Sequence, residues 1–203
     1  MFGNGENMNK AEILDELIKS RKTIRRYKSD KLPFDSIEKM LESSRYAPSA
    51  HNIQPWKFVV ISDEKLVSNI YEIMIEKEKK LLAGFNVVMK ETAKCLIGCP
   101  CLIVAYTDNS IAKKFSRFGE PYKKIANIYE VQSVSFALYN IILSAHAAGI
   151  GSACLGMALF CESEINKLLN QNWKMQALLS LGFPNEIPVT KERKPLSEIV
   201  TYL

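Results

Sequence analysis

The chain reads as a single α+β domain, a sandwich with a central mixed β-sheet flanked by helices and a long buried helix at its centre. Three observations carry this expectation. Helical and strand periodicities follow one another as helix, helix, strand, helix, strand, long helix, strand, short helix, strand, which is not the regular alternation of a doubly wound parallel fold. No G-x-G-x-x-G follows an apolar strand, so a Rossmann dinucleotide site has no support. Between Val131 and Cys161 there is no charged residue, which calls for an element enclosed by protein. With 203 residues and 47% hydrophobic content, the chain can close one sizeable core without disulfides or metals.

In chain order, residues 1–10 are polar and rich in Gly and Asn, and are expected to be a flexible N-terminus before a domain spanning 11–203. Ile13, Leu14, Leu17 and Ile18 fall at helical spacing, predicting a helix over Ala11–Ser20 that delivers Arg21. Ile37, Met40 and Leu41 do the same for Asp35–Arg45, after Pro33. Phe58–Ile61 reads as a strand and Asp63 to about Lys80 as a helix with Leu66, Ile70, Ile73 and Met74 inward. Leu81–Lys94 has no clear period, with Gly84 and Asn86 interrupting it, and is expected to be a lid over a site. Cys101–Tyr106 is an apolar run of strand length, followed by a charged and irregular stretch over Thr107–Lys124. Gly149-Ile150-Gly151 divides the uncharged passage into a helix over Val131–Ala148 and a strand over Ser152–Leu155. Glu162–Asn170 suits a short helix and Met175–Leu181 a strand, and from Phe183 an extended tail carries three prolines.

A membrane helix is excluded for the uncharged passage because Gln132, Ser133, Ser135, Asn140, Ser144 and His146 are too many polar groups for lipid. The net charge of +5 is modest and the lysines are scattered, so nucleic acid is not implied. The N-terminus does not resemble a signal peptide, and five cysteines are an odd number, so a cytoplasmic protein with reduced thiols is expected. Cys95, Cys99 and Cys101 lack a second ligand pair and border an apolar strand, so they are read as buried thiols rather than a metal site. His146 is read as a hydrogen-bonded interior residue, and His51 has no partner with which to form a catalytic set.

Two clusters stand apart from this framework. Arg21-Lys22-Thr23-Ile24-Arg25-Arg26 packs four cations and a hydroxyl into six residues, a donor set suited to phosphate. Ala47-Pro48-Ser49-Ala50-His51-Asn52-Ile53-Gln54-Pro55-Trp56 is a polar loop stiffened by two prolines. A second basic group, Lys191-Glu192-Arg193-Lys194, lies at the far end of the chain. The blocks S-R-K-T-I-R-R-Y, A-P-S-A-H-N-I-Q-P-W-K-F-V-V and L-G-F-P followed by K-E-R-K-P-L occur in the order of, and together resemble, the signature of the nitroreductase family of FMN-dependent oxidoreductases.

That resemblance implies a homodimer with FMN at the subunit interface. Arg21, Thr23 and Arg193, with Lys22 and Lys191, would hold the phosphate. Arg25 would face the pyrimidine edge of the ring. Pro48, Ser49, Ala50 and Asn52 would come from the partner subunit, and Leu155-Gly156 would offer backbone donors at the redox nitrogen. Tyr139 departs from the family, which more often has Gln there. The implied activity is hydride transfer from NADH or NADPH through FMN to nitroaromatics, quinones or similar acceptors, with no side chain as catalytic acid or base. Two other readings stay open: a deiodinase-like, dehalogenating or flavin-cleaving member of the same fold, and a flavin-binding protein without fast turnover.

Overall fold

The computed structural model describes residues 9–203. The expected flexible N-terminus therefore lies outside the described residues up to position 8. Asn9 and Lys10 are the cap and first residue of α1 (Lys10–Ser20), closed by a reciprocal capping box between the Asn9 and Glu12 side chains.

The strands β1 (Trp56–Ile61), β2 (Cys101–Thr107), β3 (Gly151–Leu155) and β4 (Lys174–Gly182) form one sheet in the order β1-β2-β4-β3. All three pairings are antiparallel, which corrects the expected mixed sheet. Among the described residues the parallel direction occurs only in an isolated bridge between Thr23 and Ser152. Apolar alternation reports which face a strand buries and is silent about the direction in which it runs.

The sheet is covered on both faces, as the unbroken apolar run of β2 requires, and all seven of its residues are buried. Leu102, Val104 and Tyr106 join Leu178 of β4 on one face, beneath α3 (Glu64–Glu78) and α4 (Phe85–Ala93), which supply Ile70, Met74 and Met89. Cys101, Ile103 and Ala105 join Leu179 and Leu181 on the other, beneath α2 (Phe34–Ser44) and α6 (Glu120–Ala147). Between these lie α5 (Ser110–Phe115) and, before β4, α7 (Glu162–Leu169). The sandwich with a long central helix is thus realised, with strand and helix limits within a few residues of those expected except in two places. The stretch 81–94 contains α4, whose two fully buried residues, Met89 and Ala93, are too few to register as a period. The stretch 107–124 is also ordered as α5, a 3₁₀ turn and the first turn of α6, with Pro121 at the start of the helix.

The longest helix, α6, thus begins eleven residues before the uncharged passage, and its early turns include one buried acid. Glu130 is 2% exposed. Its carboxylate accepts the Thr107 hydroxyl at the end of β2 and the backbone N–H groups of Ile111 (2.7 Å) and Ala112 (3.0 Å) in the first turn of α5. Thr107 in turn accepts from Asn109 N–H at 3.1 Å. A carboxylate with three donors at a helix N-terminus is compensated for its burial. The enclosure expected for α6 is only half met within one chain: Val134, Ala137 and Ile141 pack on the sheet, while Tyr122, Tyr129, Phe136 and Tyr139 remain 40–53% exposed.

Replacing Glu130 with Ala leaves those three donors without their acceptor. We expect the unfolding free energy to fall by about 2–4 kcal/mol, seen as a lower urea midpoint at fixed protein concentration. An unchanged midpoint would show that α5 does not need the carboxylate.

Candidate functional site

The segment after α1 crosses the end of the sheet as an extended strap. Ile24 N–H donates to Ser152 O at 3.0 Å, Lys28 N–H to Phe183 O at 2.9 Å, and Asn185 N–H to Arg26 O at 2.9 Å. Gly151 and Gly182 are paired opposite one another on β3 and β4. A Cβ on Gly151 would lie 2.7 Å from Ile24 Cβ, and one on Gly182 would lie 2.8 Å from Tyr27 Cβ. The glycine pair therefore leaves the space that the strap fills. Ile24 and Tyr27 are buried in it, and the Tyr27 hydroxyl bonds to Ile24 O (2.6 Å) and the Ser180 hydroxyl (2.8 Å). Burial pushes the phenol pKa far up, more than the Ser180 hydrogen bond lowers it.

With Ile24 and Tyr27 turned inward, Thr23 and Arg25 face a cavity of about 360 Å³. Arg21, Lys22, Thr23 and Arg25 line it from the strap, and Lys191 and Arg193 from the C-terminal tail. The two basic groups separated in sequence by most of the chain thus meet. Among the described residues, none of these five cations has a carboxylate within ion-pair distance. Among the described residues, the one carboxylate in the cavity wall, Glu186, is engaged with backbone, accepting from Arg25 N–H and Arg26 N–H. Five unpaired cations and a hydroxyl converging on one concavity make an anion site, and their fork and point-charge donors suit a phosphate.

Leu155 ends β3, three residues beyond the Ser152 that bridges Thr23, so the strand leads away from the cationic cavity. Leu155 is buried, and a Cβ on Gly156 would meet nothing within 4 Å, so there is room for a group to approach the backbone there. His146 lies in a neighbouring cavity of about 310 Å³, half-buried and bonded to the Ser20 hydroxyl at 2.8 Å. Burial, with Arg21 nearby, lowers its pKa.

The loop of Pro48, Ser49, Ala50 and Asn52 is not part of the cationic cavity. Pro48, Ser49, Ala50 and His51 line a separate concavity of about 360 Å³ with Tyr129, Gln132, Ser133 and Phe136 of α6. Asn52 supports the loop from within, its side-chain oxygen accepting from Gln54 Nε2 at 3.1 Å. His51, Asn52 and Gln54 all have left-handed backbone, with φ of 52°, 54° and 55°. For residues with side chains this costs on the order of 1 kcal/mol each. Ser49 holds the arrangement, its hydroxyl accepting Gln54 N–H and its carbonyl accepting Asn52 N–H, both at 3.0 Å.

Sequence reasoning missed Glu186, Tyr27 and the Gly151–Gly182 pair. The glycines were visible, but only the sheet register shows that they are opposite one another; nothing local to Glu186 signals an acid bonded to backbone 160 residues away. The thiols of Cys95, Cys99 and Cys101 are buried, and burial pushes those of Cys99 and Cys101 up to about 12 and about 11. Among the described residues no helix is long and apolar enough to cross a membrane.

Comparison with known proteins leads the same way. A Bacillus subtilis protein provisionally named an NAD(P)H nitroreductase is 25% identical over 199 residues, covering 97% of each chain. The crystal structure of a BluB-like flavoprotein from Clostridium difficile 630 superposes with a TM-score of 0.77 at 26% identity, over 94% of this chain and 98% of the other. An iodotyrosine deiodinase bound to FMN and 3-iodo-L-tyrosine shares the fold with a TM-score of 0.73 at 24% identity, over 94% and 98% of the two chains. The sequence profile of the nitroreductase family matches residues 18–183, from the end of α1 to the residue after β4 and so across the strap, the loop and the whole sheet, and this chain is a member of that family.

Proposed function

We propose that this protein is an FMN-dependent NAD(P)H oxidoreductase acting on small electron-poor acceptors such as quinones and nitroaromatics. The observation that carries this is the convergence of five unpaired cations from both ends of the chain on one cavity at the edge of the sheet. Arg21, Lys22, Thr23, Lys191 and Arg193 would hold the FMN phosphate, a dianion that needs several fixed donors to offset its desolvation. Arg25 would lie at the pyrimidine edge of the ring, where a cation favours reduction. Leu155 and Gly156 would present backbone to the redox nitrogen. When bound, FMN supplies the hydride chemistry, and the overall reaction with a quinone, NAD(P)H + H⁺ + quinone → NAD(P)⁺ + hydroquinone, leaves no proton or electron unaccounted for. The fold neighbour solved with FMN supports the choice of cofactor. Five free thiols, four of them buried, suit the reducing cytoplasm in which we place the protein.

The site would be completed by a second copy. Ile125, Tyr129, Phe136 and Tyr139 recur on α6 at intervals of three, four or seven, all exposed, and Ile13, Leu14 and Ile18 expose the apolar stripe of α1. A homodimer built on these faces would bring the Pro48–Asn52 loop of one subunit to the cationic cavity of the other. Sedimentation should find a dimer, and a stable flavin-loaded monomer at micromolar concentration would refute the shared site.

For the cofactor, the purified protein should carry a visible flavin absorption that survives desalting. Arg21→Ala and Arg193→Ala should each weaken FMN binding by on the order of 2–4 kcal/mol, as for a lost charge-assisted contact in a desolvated site. Unchanged affinity in both would remove the phosphate assignment.

Deiodination is the competing activity, and the local chemistry disfavours it. Residues 81–101 contain no Tyr to grip a zwitterionic substrate, α4 instead exposes Phe85, Val87 and Val88, and Gly156 brings no hydroxyl to the redox nitrogen. Quinones and nitroaromatics should therefore turn over with NAD(P)H while halotyrosines do not; release of halide from a halotyrosine at a comparable rate would reverse the choice.

A further inference from the structure

The end of α5 and the start of α6 carry an exposed strip of rings set among cations. Phe115 packs against His51 with ring centroids 5.5 Å apart, Phe118 follows Phe115 at 6.3 Å, and Tyr122 follows Phe118 at 5.5 Å. The Arg117 guanidinium lies 4.7 Å from the centre of the Phe118 ring. Phe118 is 50% and Tyr122 53% exposed. Residues 110–124 hold Lys113, Lys114, Arg117, Lys123 and Lys124 against the single acid Glu120, a net +4 in a chain whose whole net charge is +5. Glu120 pairs with Lys123 at 3.3 Å, and among the described residues the other four cations have no ion pair.

We propose that this strip recognises a planar aromatic group bearing an anionic substituent, a carboxylate, sulfonate or phosphate, on a substrate of the flavin site. The proposal rests on the function inferred above, because its location gives it meaning. His51 is both the first ring of the strip and a wall of the concavity formed by the Pro48–Ala50 loop, so the strip starts where that loop would meet the flavin of the partner. Exposed rings offer faces for offset stacking. Arg117, already over Phe118, extends the same surface and supplies the charge complement. Rings alone would suit any flat acceptor, and cations alone any anion; interleaving selects molecules that have both features. Two sources fit this chemistry, an acceptor that is itself an aromatic anion and the phosphate-bearing adenosine of the nicotinamide donor.

The test uses the holoenzyme and the variants Arg117→Ala and Phe118→Ala, neither of which touches the cofactor site. The acceptor arm compares 4-nitrobenzoate with 4-nitrobenzamide, equal in shape but neutral, and the donor arm compares NADPH with NADH. We expect Arg117→Ala to raise KM for 4-nitrobenzoate, or for NADPH, by about fivefold or more while leaving the less charged member of that pair within about twofold. Phe118→Ala should raise KM for both members of the pair, with kcat nearly unchanged. The arm that responds identifies the source. Saturation-transfer NMR of 4-nitrobenzoate and adenosine 2′,5′-bisphosphate on the same proteins reads the strip without turnover, so a protein that lacks reductase activity but binds these anions through Arg117 loses the proposed function alone. Equal effects of Arg117→Ala on charged and neutral partners, or none in either arm, would overturn the inference. So would a single-stranded oligonucleotide that binds through Arg117 and Phe118 while both small anions fail to bind.

Discussion

A steric allowance at the edge of the sheet decides where the charges of this protein lie. Gly151 and Gly182 face one another across β3 and β4, and the space that two Cβ atoms would occupy is taken by Ile24 and Tyr27. Because the strap is seated there, Thr23 and Arg25 turn out of the core, and the chain beyond β4 is held alongside by the Lys28–Phe183 and Asn185–Arg26 hydrogen bonds. Glu186 then closes on the backbone of Arg25 and Arg26. Both walls of the cationic cavity are therefore consequences of the same crossing. A side chain at either glycine would displace the strap and with it the donors on two separate parts of the chain.

The electrostatics follow from which cations have partners. Lys19, Arg45, Lys79, Lys94 and Lys123 are paired with acids three or four positions away on the same stretch of chain, at exposed surfaces where such pairs contribute little to stability. Their effect is to neutralise charge locally. Among the described residues the five cations at the cavity have no such pair, and what sets them apart is that they converge on one concavity. The carboxylate of Glu130 marks the opposite case, an acid buried beneath the helix that carries it and matched by three donors from two other elements.

What could be read from sequence divides along the same physical line. Elements whose pattern is long or uniform were legible: the apolar run of β2, the stripes of α1 and α2, the charge-free core of α6, and the two basic groups of the site. The elements within 81–94 and 107–124 were not. α4 has two fully buried positions, α5 one, and the first eleven residues of α6 carry Glu120, Lys123, Lys124 and Glu130, which reads as a solvated segment because the burial of Glu130 depends on partners in β2 and α5. Strand direction was equally out of reach. The separation of the Pro48–Asn52 loop from the cationic cavity within one chain came only from the family resemblance, since neither spacing nor composition says which groups share a cavity.

That separation ties the remaining features together. The loop keeps three left-handed residues with side chains, an arrangement with a backbone cost that Ser49 and Asn52 stabilise by local hydrogen bonds. Such a loop lines an open concavity and is accessible to a group from another chain, as the proposed homodimer requires. The helix that forms the rest of that concavity exposes Tyr129 and Phe136, and an apolar stripe of this length left in water is unfavourable for a single chain. In the proposed homodimer one association does both: the stripe is buried, and the loop meets the cationic cavity of the other subunit. The cation and ring strip beyond His51 would then lie outside the buried stripe, at the mouth of a site whose floor belongs to the other subunit, where charge and aromatic surface can act on incoming molecules before they reach the flavin.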